Sequence, residues 1–299
     1  MFKRHRHIPL LLIWTFALVA GGCDSVHPDQ TEALVVEAWL ETDRALPPIR
    51  LSSTLDVGAP LDPSSPQGDV EVEVEVDGQI HAYLPMAGDP LRYAPANPAA
   101  SHPRAGQAFE VRVLHEGQTA RAHGMLPPVL HLLRASFDVP DEPVPVVLLD
   151  SLQLGLDSLA LDIEATTGFV YPVQVAVTWQ KDDFDGWIEA RLQPSASFSS
   201  SLLDFFLLPS QVFSEASIEV TNPGELTWEG VYAVPVASAD SPLPTHDLRI
   251  VLLRSNDQYA QFATSRTSPL RREPVSNVIG GLGFVAGISV DSLRLNIRR

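Results

Sequence analysis

Val70-Glu71-Val72-Glu73-Val74-Glu75-Val76 alternates apolar and charged residues without a break. Successive side chains of an extended strand point to opposite faces, so this stretch reads as a strand with one valine face buried and one glutamate face in water. The three glutamates repeat about every 7 Å along one face. A bridging cation could sit on them, but a solvated face whose like charges discourage edge pairing is the simpler reading. The same period of two recurs on either side. Leu34 to Leu40, Ile49 to Ser53, Ala108 to Leu114 and Thr119 to His123 are strands by this criterion, separated by Pro, Gly, Asp and Ser clusters. Five short strands within about a hundred residues, with no amphipathic helical stripe among them, predict an immunoglobulin-like sandwich over 34–128.

Met125-Leu126-Pro127-Pro128 ends that unit. Residues 129–145 form a Pro-rich linker whose Val129 to Phe137 segment is apolar enough to pack as a strand or short turn. Over 146–299 alternation returns. Val146 to Leu149 is followed by two echoing units, Asp150 to Leu156 and Asp157 to Asp162, whose alternating leucines suit a strand and not a coiled coil. Further strands are expected at Pro172 to Trp179, Trp187 to Leu192, Ala216 to Thr221, Leu226 to Val236, Leu248 to Arg254 and Ser292 to Ile297. Short helices are expected only at Leu202 to Leu208 and Asp257 to Thr264. The fold class is therefore all-β, the second part a larger antiparallel β-sandwich.

The 299 residues are 45% hydrophobic and only 19% charged, which excludes a charged disordered chain, a collagen or a coiled coil. Residues 1–22 read as a lipoprotein signal peptide: Lys3, Arg4 and Arg6 precede the apolar run Ile8 to Ala20, which is too short to span a bilayer needing about 20 residues. It ends Ala20-Gly21-Gly22-Cys23, similar to a lipobox with alanine where leucine is usual. Cys23, the only cysteine of the chain, is thereby the expected lipidation site. Residues 23–33 would be the tether. Asp24 suits either inner-membrane retention or, with acids near the anchor, surface export, so periplasmic and surface-exposed faces both stay open.

Removing the three bases of the signal from the 20 Lys and Arg leaves 17 against 37 Asp and Glu, a mature net charge of −20. Nucleic acid is excluded as a partner by repulsion, and anionic headgroups are repelled too, so membrane contact is expected through the lipid alone.

Candidate chemistry is sparse. Asp182, Asp183 and Asp185 with Glu189 invite a calcium reading, but the EF-hand spacing fails, since Lys181 and Leu192 would fall at its first and last positions. Asp185-Gly186 between Trp179 and Trp187 is better read as a hairpin turn. Gly280-Gly281-Leu282-Gly283 has no βαβ unit around it and reads as a bend between final strands. The histidines from Cys23 onward form no H-x-x-x-H or H-x-H pair and no G-x-S-x-G occurs, so no metal, cofactor or catalytic residue is assigned and no enzyme activity is expected. Ser195 to Ser201 leading into Leu202 to Leu208 is core or, alternatively, a docking knob.

Several stretches together resemble the lipoprotein family of Bacteroidetes-type bacteria catalogued as domain of unknown function 4249. They are Leu34 to Leu40, Val70 to Asp77, Met125 to Pro128, Val173 to Trp179, the region of Tyr259, and Asn277 to Phe284. The resemblance implies an outer-membrane, cell-envelope lipoprotein without enzymatic activity, a noncatalytic accessory or binding component with a TonB-dependent transporter (receptor) as partner. Alternatives are a structural or adhesive surface lipoprotein and, less favoured, a carbohydrate-active or proteolytic enzyme.

Overall fold

The computed structural model describes residues 33–54, 69–98, 101–154, 161–195, 211–218, 220, 222–267 and 275–299. As the alternation requires, these residues are overwhelmingly extended. In chain order the strands are β1 (Leu34–Glu41), β2 (Ile49–Ser53), β3 (Val70–Val76), β4 (Gln79–Met86), β5 (Asp89–Pro95), β6 (Ala108–His115), β7 (Gln118–Met125) and β8 (Leu132–Asp138). There follow β9 (Val144–Leu154), β10 (Leu161–Gln180), β11 (Trp187–Pro194), β12 (Gln211–Ser214), β13 (Glu225–Val236), β14 (His246–Ser255) and β15 (Leu282–Ile297). Helix α1 (Asp257–Thr267) lies where a short helix is expected. The possible helix at Leu202 to Leu208 lies outside the described residues.

Two sheets result. The larger has 11 strands in the order β12-β11-β14-β15-β1-β2-β5-β4-β3-β6-β7, and the smaller joins β13, β10 and β8, with β9 also on β10. Among the described residues all pairs are antiparallel except one: β1 runs parallel to β15, in register from Val35 opposite Leu282 to Glu41 opposite Ile288. The large sheet is therefore mixed, and it links the first strand of the chain to the last. Where the echoing leucine units are described, they pair with each other, Leu161 opposite Leu154 and Asp162 opposite Gln153. Leu132–Asp138 of the Pro-rich stretch is a strand in the smaller sheet, facing β10.

Three buried clusters hold the layers together. The inward residues of β1 to β7, among them Val36, Val72, Val74, Tyr83, Phe109 and Val111, form one with Val278 and Val285 from the C-terminal end. Val173, Val175, Val177 and Trp179 of β10 pack between the sheets on Ile188, Leu248, Ile250 and Leu252. On the opposite face of the large sheet, α1 lays Tyr259, Phe262 and Ala263 over Phe284, Ala286 and Ile288, with Trp39 against them.

Turn chemistry sets the hairpins. Asp77-Gly78 and Glu116-Gly117 both place two successive residues at positive φ (50° and 81°; 50° and 79°), the primed turn whose twist matches flanking antiparallel strands. β7 then returns to the start of β15, where Arg121 and Ile279 exchange backbone hydrogen bonds of 2.9 and 2.8 Å.

Two expectations are corrected. β3 is no edge strand, because β4 and β6 flank it on both sides. Its glutamates are instead balanced by Arg112 of β6, which reaches Glu73 at 3.2 Å and Glu75 at 3.9 Å while pairing Glu110 at 3.4 Å. Nor is Asp185-Gly186 a hairpin turn. β10 and β11 belong to different sheets, so residues 181–186 carry the chain across the sandwich.

Candidate functional site

The crossing segment is where polar chemistry gathers. Arg254, near the end of β14, is 1% exposed, and each of its three guanidinium nitrogens donates a hydrogen bond. Nη1 reaches Asp182 Oδ2 at 2.6 Å; Nη2 and Nε reach Glu215 Oε1 at 2.7 and 3.2 Å. Trp179 Nε1 adds a third donor to that Glu215 oxygen, at 3.0 Å. The Phe184 ring closes over the cation at 5.7 Å.

Local sequence explains the shape. Asp182 Oδ1 accepts the Phe184 N–H at 3.1 Å, a turn that aspartate favours. Gly186 lacks a side chain where a Cβ would come within 2.3 Å of the Phe184 ring. The Glu215 N–H donates to the Gly186 carbonyl at 3.0 Å, and Glu215–Ser217 is a single 3₁₀ turn, not the strand expected from Ala216 onward. The turn places the Glu215 carboxylate in the core beside the guanidinium.

A cleft of about 300 Å³ lies at this junction, lined by Lys181, Asp183, Phe184, Asp185, Ile218 and Leu226 among others. Of the three aspartates read as possible calcium ligands, Asp182 is committed to Arg254. Among the described residues no three His, Cys, Asp or Glu converge as metal donors. Glu189 turns away to Arg191, at 2.8 Å. The geometry makes this an ionic bolt between sheets.

A larger cavity, about 550 Å³, opens beside the smaller sheet at Ser136, Phe137, Gln174, Gln211, Glu229 and Gly230. Its described lining contains no histidine, cysteine, lysine or arginine.

His246 is buried, its Nδ1 2.8 Å from the Pro244 carbonyl and its Nε2 2.6 Å from the Tyr232 hydroxyl. A carbonyl only accepts, so Nδ1 carries a proton toward Pro244, and Nε2 shares a hydrogen bond with the phenol. Burial pushes the Tyr232 phenol well above its ordinary 10.0, and the pair fixes the start of β14 as a structural contact.

The glycine-rich bend works by close packing. A Cβ on Gly283, whose φ is +107°, would sit 2.1 Å from the Val36 carbonyl oxygen; one on Gly287 would sit 2.3 Å from that of Met125.

Cys23 and the Leu202 to Leu208 segment lie outside the described residues. No described helix is long and apolar enough to cross a membrane. Reading the sequence singled out Asp182 but neither Arg254 nor Glu215. The signal was present in Ile250-Val251-Leu252-Leu253-Arg254, since a charge continuing an apolar strand needs a buried partner. No family model matches the chain, nor does any curated protein or solved structure.

Proposed function

We propose that the chain is a cell-envelope lipoprotein, held to the outer membrane through Cys23, whose sheet-built body is a noncatalytic accessory or binding component. One observation carries the reading: a basic start, a 13-residue apolar run and two glycines directly before the only cysteine. Two or three acyl chains, at about 0.8 kcal/mol per buried methylene, make attachment effectively stable. That attachment is needed because a mature charge of −20 gives the body no affinity for anionic headgroups. Ten residues, Asp24 to Ala33, separate the lipid from β1 and reach at most about 35 Å, which keeps the body close to its membrane. The resemblance supplies the partner, a TonB-dependent receptor.

Cys23→Ser tests the anchor. Radiolabelled palmitate incorporation is expected to vanish and the protein to move to the soluble fraction; continued labelling would refute the anchor. Crosslinking in intact cells, followed by identification of captured proteins, tests the partner. Recovery of a TonB-dependent receptor supports it, and recovery of none while other envelope proteins are captured counts against it.

A further inference from the structure

The strand that follows the tether is paired on both edges, hydrogen-bonded at both ends and packed on both faces. β1 lies between β15 and β2, with seven facing pairs to the first and four to the second. Hydrogen bonds pin both of its ends. At the start, the Ala33 N–H donates to Thr54 Oγ1 at 2.9 Å and the Thr54 N–H to the Ala33 carbonyl at 2.9 Å. At the far end, the Thr42 N–H donates to the Ile288 carbonyl at 2.9 Å and Thr42 Oγ1 to the Pro127 carbonyl at 2.8 Å. Both faces are engaged as well. Val36, Ala38 and Leu40 are each 1% exposed in the inner core, while Trp39 on the other face packs 5.6 to 5.9 Å from Phe262, Phe284 and Tyr259.

Direction then decides the mechanics. Because β1 and β15 are parallel, the tether leaves from one end of the pair and the C-terminus of the chain from the other. Tension between these points runs along the strands and loads the evenly spaced ladder bonds together. Sliding β1 by one residue would also turn Val36, Ala38 and Leu40 away from the core. Tension applied at the starts of both strands would instead open the same bonds one after another.

We propose that β1 and β15 form a shear clasp, which passes tension arriving through the N-terminal tether into the whole sheet without stripping the first strand. Its use in the cell rests on the lipid anchor; the clasp itself belongs to the folded chain and can be tested without lipid.

Single-molecule pulling on the unlipidated chain, residues 23–299, distinguishes the directions. One handle is Cys23; the other is a cysteine appended after Arg299 or, in a second chain, Ile279→Cys, a side chain 67% exposed just before β15. At equal loading rate the first geometry is expected to require about twofold or more the force of the second, since forced rupture follows the unfolding barrier along the pulled direction. Trp39→Ala is expected to lower the first force and leave the peak of the second nearly unchanged, because sliding drags the indole from its aromatic neighbours in the rupture itself, whereas peeling reaches Trp39, opposite Ala286, only after the first pairs have opened. Equal forces in the two directions, or release of β1 ahead of the sheet in the first, would overturn the clasp. The anchor proposal has its own readout in lipid labelling, so either can fail alone.

Discussion

Arg254 shows how one side chain can decide a connection. A guanidinium at 1% exposure is costly unless its donors are met, and here Glu215, itself 3% exposed, meets two of the three nitrogens. Breaking such a pair strands the remaining charge. Arg254→Met is therefore expected to lower stability by about 3–5 kcal/mol, read as a shift in urea midpoint at unchanged slope. Adding Glu215→Met in the same chain should recover most of the loss, because an apolar pair of similar volume replaces both charges. If the double variant is as unstable as the single, the carboxylate matters for its turn and its bond to Trp179 more than for the cation. Asp182→Asn should cost about 1 kcal/mol or less, since Asp182 is 34% exposed and water screens its pairing.

Strands differ in how openly they announce themselves, and the glycines explain part of the difference. β3 was legible because its valines are buried and its glutamates wet. β4 was not: Ile80 and Leu84 are 56% and 58% exposed while His81 and Tyr83 face the core, so its apolar residues mislead. β5 hides behind Pro90 and Pro95, which argue against a strand. β15 was legible only from Ser292, because Phe284 to Ile288 is buried almost without alternation and glycines interrupt the run. The bolt was half legible, since Asp182 was noticed but its partners stand 33 and 72 residues away and only the fold brings them in. Glycine itself yields a contrast at this scale. Gly283→Ala forces a Cβ to 2.1 Å from the Val36 carbonyl at a positive φ, and should cost well over about 2 kcal/mol or abolish folding. Gly78→Ala has the same kind of backbone, φ +81°, but nothing within 4 Å, so strain alone should cost about 1–2 kcal/mol. Thermal denaturation of the two variants checks the order; equal losses would mean that β15 shifts easily off β1.

At the scale of the whole molecule, β15 is shared property. Its first seven residues, Leu282 to Ile288, complete the N-terminal strands through β1, and from Ser289 to Ile297 it pairs with β14. The core of the first seven strands also includes Val278 and Val285, which arrive only at the end of synthesis. Composition and turn spacing suggest a self-sufficient sandwich over 34–128, yet such a piece would leave β1 with an open edge where β15 belongs, and an exposed edge next to uncovered apolar surface favours association over folding. The fragment 23–128 is accordingly expected to lack a cooperative thermal transition by circular dichroism and to aggregate at micromolar concentration, while the chain 23–299 melts cooperatively. A fragment with a sharp transition and dispersed amide resonances would show that the first seven strands stand alone and that β15 merely docks on them. The expected failure would mean the opposite: a chain whose tether side cannot finish folding until its last strand has been made, so that load-bearing pairing and completion of the fold are the same event.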